Sequence, residues 1–252
     1  MKKLTIAIAS LAALVSVPAI AADMPMKARP APMVAPAPYN WTGFYLGFQS
    51  GGAISEVNWD FVPPGGAQSD HIGSGGPIGG TIGFNYQVGS WVWGIEGDYS
   101  YANIRGSINC DTPGGGVIPD RFNRCASEME SFGTIRGRLG YAVGPMLFYA
   151  TGGAAVGDLE MSVEGLGRNF YEAVSETRWG WTAGVGFEYA AMSSPLTWKI
   201  EWLYFDLGTD RYNGLGARND FAEVDYRGNL IRTGLNYRFN WAAPLAPVVA
   251  RY

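Results

Sequence analysis

Residues 178–189 read Arg-Trp-Gly-Trp-Thr-Ala-Gly-Val-Gly-Phe-Glu-Tyr, and this stretch decides the fold. Trp179, Trp181, Ala183, Val185, Phe187 and Tyr189 take alternate positions, with Arg178, Thr182, Gly184, Gly186 and Glu188 between them. Alternation with a period of two marks a strand with two unlike faces. A soluble strand buries its large apolar face and wets the other. Here the bulky face is rich in aromatics, and the opposite face combines glycine with charge. That division suits a strand whose bulky face meets lipid and whose small, polar face lines a closed barrel.

The same pattern recurs on both sides. Phe44, Leu46 and Phe48 oppose Tyr45, Gly47 and Gln49; Ile78, Ile82, Phe84 and Tyr86 oppose Gly79, Thr81, Gly83 and Asn85. Trp91, Trp93, Ile95, Tyr99 and Tyr101 oppose Val92, Gly94, Glu96 and Asp98, and two carboxylates on one face cannot point into lipid. Ile135, Leu139 and Tyr141 oppose Glu130, Thr134, Arg136 and Arg138. Residues 146–157 are apolar and small throughout, so their facing is undecided by period. Trp198, Ile200, Trp202 and Tyr204 oppose Lys199, Glu201 and Leu203. In the last segment Ile231, Leu235, Tyr237 and Phe239 oppose Arg232, Asn236 and Arg238, while Val224 and Tyr226 fall out of phase, as at a bulge or in an extension beyond the membrane.

Connector lengths orient the strands. Those at 88–90, 142–145 and 191–195 are short, and those at 54–77, 102–128, 158–177 and 206–223 are long. Strict alternation requires an even strand number with both termini on the short-turn side, which in outer-membrane barrels is periplasmic. The predicted fold is an all-β, eight-stranded antiparallel transmembrane up-and-down barrel over residues 41–239. Aromatics near the strand ends, such as Trp91, Tyr141, Tyr189, Trp198 and Tyr237, match the girdles at a bilayer's two interfaces.

The flanks fit this address. Lys2 and Lys3 precede an apolar stretch from Leu4 to Val17, and Ala19-Ile20-Ala21 is an A-x-A cleavage site, so residues 1–21 read as a Sec-type signal peptide cut between Ala21 and Ala22. Residues 22–40, with Pro25, Pro30, Pro32, Pro36 and Pro38 among alanines, read as an extended periplasmic tether. Residues 240–252 form a C-terminal tail, and either Phe239 or Tyr252 serves as the aromatic end recognised by the barrel-assembly machinery. Losing Lys2 and Lys3 takes the formal charge from −4 to −6, which argues against nucleic acid as a partner.

Several stretches taken together resemble a known family: AADMP at 21–25 before the Pro/Ala segment, WTGFYLG at 41–47, RGRLGYA at 136–142, YATGGAA at 149–155, WGWTAGVGFEYA at 179–190, KIEWLYFDLG at 199–208 and RTGLNYRF at 232–239. The chain is similar to the porin-family small outer-membrane β-barrel proteins of α-proteobacteria, the RopB-type surface proteins. The resemblance implies an eight-stranded barrel that is a major surface protein and stabilises the envelope, with no catalytic residues and no cofactor.

Three sets of residues carry the remaining chemistry. Glu96, Asp98, Arg136, Arg138, Glu188, Lys199, Glu201, Arg232 and Arg238 are the predicted lumen charge network, joined by Glu130 and Arg178. An eight-stranded barrel is just wide enough inside for side chains to fill, so these charges form an interlocked plug, or alternatively a narrow gated path for small solutes or ions. Cys110 and Cys125, fourteen residues apart in one long loop of an exported protein, are expected to form a disulfide worth about 3 kcal/mol. Two cysteines and one distant histidine offer no metal-ligand spacing.

The third set lies in the long loops. His71 stands beside Asp70 and near Ser69 and Ser74, but a lone histidine in a Gly/Pro-rich loop reads as a solvated surface residue, and no GxSxG, GxGxxG, CxxC or HExxH pattern occurs. Trp59, Phe61, Phe170, Tyr171, Tyr212 and Phe221 either pack beneath their own loops or anchor a host surface or heme. Arg105, Arg121, Arg124, Arg168, Arg211 and Arg218 are placed to meet lipopolysaccharide phosphates. The partners expected are therefore outer-membrane lipid and lipopolysaccharide, with the cell wall within reach of the tether.

Overall fold

The computed structural model describes residues 39–62, 68–110, 123–165, 170–191, 194–213 and 221–239. The signal peptide with its Ala21/Ala22 cleavage site, most of the tether and the C-terminal tail lie outside the described residues. Nine antiparallel strands follow in chain order: β1 (Gly43–Val62), β2 (Gln68–Gly75), β3 (Ile78–Val88), β4 (Trp91–Cys110), β5 (Asn123–Val143), β6 (Met146–Gly165), β7 (Phe170–Ala190), β8 (Leu196–Asn213) and β9 (Phe221–Phe239). The sheet order is β2-β1-β3-β4-β5-β6-β7-β8-β9, and β9 returns to β1 from Phe44↔Phe239 to Val62↔Phe221, closing a barrel.

The ninth strand arises because one stave is broken. β1 pairs with β3 along its first half, from Gly43↔Asn85 to Ser50↔Ile78, and with β2 along its second, from Ala53↔Gly75 to Asp60↔Gln68. The break falls at Gly76-Pro77, where proline has no N–H for the ladder. The Pro77 carbonyl still accepts from the Gly51 N–H at 3.0 Å. The barrel therefore has eight staves, the second interrupted.

Two tight turns set the register at the short-turn end. Val88 pairs with Trp91 around Gly89-Ser90, and Val143 with Met146 around Gly144-Pro145. Only the first residue of each turn has positive φ, 60° at Gly89 and 58° at Gly144, the sign pattern of a type II′ hairpin turn. That turn matches the twist of the flanking strands, and proline's fixed negative φ suits its second position.

Side-chain facing follows the alternation. Phe44, Leu46, Ile82, Trp93, Ile95, Ile135, Phe148, Val185, Trp202 and Leu235 are exposed on the outer face. On β6, where period gave no answer, Phe148 points out, and Leu147 and Tyr149 point in and are buried. On β4 the apolar outer face runs from Trp91 to Tyr101. Ten rises of about 3.3 Å at a tilt near 40° give about 25 Å, the height of a barrel's lipid band.

The four long connectors are mostly strand, contrary to the sequence reading. β1, β4, β5, β6, β7, β8 and β9 each continue beyond the lipid band, and only 63–67, 111–122, 166–169 and 214–220 between strands at that end fall outside the described residues. In this extension the pattern inverts. Apolar side chains point inward, including Val57, Trp59, Ile104, Met129, Leu159, Met161, Phe205, Val224 and Tyr226, and all are buried in one cluster. Val224 and Tyr226 involve no bulge, since β9 pairs with β1 without a register shift. They keep the phase of Arg232, and the surroundings change from lipid to water.

The extension is built as two facing sheets. β7 and β8 stop pairing at Trp181↔Asp206, and β2 meets β4 at the single ladder pair Ser74↔Arg105. Above those points β2-β1-β9-β8 lies on one side and β4-β5-β6-β7 on the other. Their apolar faces meet across rings such as Phe132 and Phe205, whose centroids are 5.1 Å apart. Irregularities mark the transition: Tyr101/Ile104 in β4 with Asn103 at φ 44°, Met129/Ser131 in β5, and Asp206/Thr209 in β8 with Gly208 at φ 73°. The β5 bulge turns Glu130 outward, so this carboxylate is exposed rather than part of the lumen set.

Candidate functional site in the barrel lumen

The lumen is filled in three storeys. At the mouth on the short-turn side Trp41, fully buried, packs with Val92, Ala142, Leu147, Tyr149 and Ala190. The Trp41 backbone N–H donates to Gln87 Oε1 at 2.6 Å. Arg238 donates to the Tyr39 hydroxyl and, at 2.7 Å, to the Asn40 carbonyl, and its guanidinium lies about 5 Å from both the Tyr39 and Trp41 ring centroids. The residues that lead into β1 are thus folded back as a cork, held by the strand that closes the barrel.

The middle storey brings together Glu96, Asp98, Glu188 and Glu201 with Arg136, Arg138, Lys199 and Arg232, all buried. Four carboxylates face four cations. Arg136 donates to Glu96, lies 3.0 Å from Asp98, and forms an ion pair with Glu201 at 3.0 Å whose angle is not that of a hydrogen bond. Arg232 bridges Asp98 at 2.8 Å and Glu201 at 2.7 Å. Arg138 reaches Glu188 at 3.0 Å and Glu96 at 3.3 Å, and Lys199 lies 3.2 Å from Glu96. Each unpaired buried charge costs several kcal/mol, so matching the two signs is what permits so polar an interior.

Neutral groups complete the packing. The Tyr45 hydroxyl accepts from Arg138 at 2.9 Å and donates to Glu96 at 2.7 Å, and the Arg138 guanidinium lies 3.7 Å from the Tyr149 ring centroid. Thr134 donates to Asp98 at 2.5 Å, Asn236 to Glu188 at 3.0 Å, and Thr197 also donates to Glu188. Gly83 and Gly186 make room for the two tyrosines. A Cβ at either position would stand 2.3 Å from a ring carbon, of Tyr45 and Tyr149 respectively. The space over these two inner-face glycines is therefore filled by neighbouring rings.

The top storey is the apolar core of the extension, which the sequence reading missed. Its signal was present in the inverted alternation of Val57 and Trp59, Leu159 and Met161, and Val224 and Tyr226. Trp59 belongs to this core, 1% exposed, and is not a surface anchor. His71 is also buried, at 7% exposure, which corrects the expectation of a solvated loop residue. Its Nε2 pairs with Ser127 Oγ at 2.7 Å across the β2/β4 seam; the side chain of Ser69 lies outside the described part of the structure. Burial pushes the imidazole pKa below 6.5 against a weaker upward pull from Asp70. At the other seam Arg178 donates to the carbonyls of Val224 at 3.0 Å and Gly208 at 3.3 Å.

Of the remaining sequence candidates, Cys125 is buried in the upper core and disulfide-bonded, while the side chain of Cys110 lies outside the described part of the structure. Tyr171 is exposed; the side chains of Phe61, Phe170, Tyr212 and Phe221 lie outside the described part, as do residues Arg121, Arg168 and Arg218. Arg105 pairs with Glu128 at 2.5 Å, Arg124 donates to Ser107 at 2.9 Å and Arg211 pairs with Glu223 at 2.7 Å.

Comparison with known proteins agrees with this architecture. The chain is 33% identical over 248 residues to the 31 kDa outer-membrane immunogenic protein of Brucella melitensis biotype 1, covering 93% of this chain and 99% of that protein. It is 30% identical over 200 residues to the 22 kDa outer membrane protein of Rhizobium leguminosarum bv. viciae, covering 79% of each. These relatives bear names of outer-membrane proteins, not of enzymes. Among solved structures, the outer membrane protein OprG of Pseudomonas aeruginosa shares the fold with a TM-score of 0.50 at 12% identity, covering 79% of this chain and 98% of that one. The family model for the outer membrane protein beta-barrel domain matches residues 7–239, and the chain belongs to that family of outer-membrane proteins.

Proposed function

We propose that this protein is a structural element of the outer membrane: a rigid, closed barrel that contributes to envelope integrity and meets lipopolysaccharide through its outer extension, and that conducts no solutes. The observation that carries this reading is the filled lumen. The aromatic cork, the balanced charge network and the apolar upper core lie in series, and a solute would have to displace all three. The upper core also favours a mechanical role. Strands that continue past the bilayer as two packed sheets hold their outer faces rigid at the height of the surrounding headgroups and sugars. A disulfide between Cys110 and Cys125 would tie β4 to β5 beneath the connector they flank.

The test is a deletion strain assayed for sensitivity to detergent and to a large hydrophobic antibiotic. The expected result is increased sensitivity, restored by the intact gene without any change in uptake of small hydrophilic solutes. Unchanged sensitivity, or a defect in small-solute uptake alone, would contradict the proposal.

A further inference from the structure

The outer face of the β4-β5-β6-β7 sheet carries a depression of about 430 Å³ above the lipid band. Its floor is one rung of small residues running across the strands: Ser107 pairs with Ala126, and Ala126 with Ser162. The rung nearer the membrane holds Arg105, Glu128 and Glu160, and the rung beyond holds Arg124, Glu164 and Tyr171. Walls two residues to either side of the floor stand about 13 Å apart between backbones, enough for a sugar ring with its substituents. The floor lies about 12–15 Å beyond the end of the aromatic band at Tyr101, by the same rise and tilt.

The side chains have the chemistry of saccharide recognition. The Tyr171 ring, 65% exposed, offers an apolar face for the C–H face of a sugar. Ser107 and Ser162 offer hydroxyls that donate or accept. Among the described residues Glu160 has no ion-pair partner, so its carboxylate can accept from sugar hydroxyls. Arg124, held by Ser107 at 2.9 Å and facing Glu164 across the ladder, offers its remaining N–H groups to sugar oxygens. Hydroxyl-matched groups flank one aromatic platform, and the carboxylates Glu128, Glu160 and Glu164 offset Arg105 and Arg124, so the groove suits a hydroxyl-rich oligosaccharide better than a hydrocarbon or a free phosphate.

We infer that this groove binds the oligosaccharide portion of neighbouring lipopolysaccharide. The height above the lipid band selects this source, because the sugars of a lipopolysaccharide molecule packed against the barrel stand beside the groove without leaving their leaflet. The inference rests on the reading of the chain as a lipopolysaccharide-contacting surface protein and assigns the contact to sugar rather than to lipid A phosphate.

The test uses the refolded full-length mature protein in detergent and isothermal titration with three probes: intact lipopolysaccharide of a rough strain, its core oligosaccharide freed of lipid A, and a neutral chito-oligosaccharide. Ala126→Trp fills the floor, Tyr171→Ala removes the platform, and Asn229→Trp places equal bulk on the outer face of the opposite sheet. Heat-modifiable mobility on gels checks that each variant is folded. Expected is binding of the core oligosaccharide, weakened at least tenfold by Ala126→Trp and by Tyr171→Ala and unchanged by Asn229→Trp. Binding of intact lipopolysaccharide but not of the freed oligosaccharide would overturn the groove and leave the structural reading standing. Binding of neither would overturn the groove and remove lipopolysaccharide contact from that reading. Equal binding of the chito-oligosaccharide, lost in the same variants, would overturn the assignment to lipopolysaccharide in favour of a free neutral glycan.

Discussion

Replacing Arg136 with methionine tests whether the lumen is a balanced ionic plug. Arg136 touches three of the four network carboxylates, Glu96, Asp98 and Glu201, and none of these groups is open to solvent. Methionine keeps much of the side-chain volume and removes the charge, leaving four carboxylates opposite three cations. Breaking one partner of a buried pair costs about 3–5 kcal/mol, because the abandoned charge stays desolvated. That range corresponds to a loss of roughly 140- to 3,700-fold in the folding equilibrium, at tenfold per 1.4 kcal/mol. Adding Glu201→Gln restores the balance, since the remaining cations then face three carboxylates. The account predicts recovery of at least about 1 kcal/mol in the double variant, within the coupling expected of contacting residues. The assay is urea unfolding in phospholipid vesicles, followed by tryptophan fluorescence and the heat-modifiable gel shift. A single variant within about 1 kcal/mol of wild type, or a double variant with no recovery, would refute the reasoning.

Trp59→Ala removes the largest side chain of the upper core and should cost about 3–5 kcal/mol locally, seen as protease cleavage in the extension while the membrane-embedded part keeps its heat-modifiable shift; equal protease resistance would contradict a packed extension. His71 should make stability fall toward acid pH. Its folded pKa lies below 6.5, so the unfolded chain takes up the proton first; the stability is fully present above about pH 6.5 and is lost as pH falls below it. Urea midpoints measured from about pH 7.5 to about 5.5 should decline in the wild type and decline less in His71→Gln, and parallel curves would assign the slope to other groups.

Much of the membrane part was legible because its alternation has one simple cause. Lipid on one side and a side-chain-filled lumen on the other impose opposite preferences at successive positions, and the charged positions Glu96, Arg136, Glu188 and Arg232 can satisfy them only by facing in. Short turns were legible as Gly89-Ser90 and Gly144-Pro145, whose backbone requirements are local. The extension was harder to read because the solvent changes partway along each strand. In β1, Phe44 and Leu46 point out into lipid while Val57 and Trp59 point in away from water, so continuous pleating produces an apparent phase slip. The true bulge at Glu130 shifts the phase on β5 and had the opposite effect, making an outward carboxylate look like a lumen charge.

Pairings across the molecule were not legible at all. Nothing near His71 in the chain points to Ser127, 56 residues away, and nothing near Arg238 points to Tyr39 and Asn40. Such contacts depend on the stagger of the strands and the closure of β9 on β1, which place distant residues at one height. Pattern can identify which face a charge occupies, but its partner follows only from the three-dimensional register.

The central claim is that three filled storeys close the barrel, and planar-bilayer conductance of the refolded mature protein tests it most directly, with a boiled, unfolded sample as control. The account predicts a folded protein that inserts and stays electrically silent. Discrete, reproducible openings from the folded sample alone would contradict it and establish a solute or ion path through the lumen.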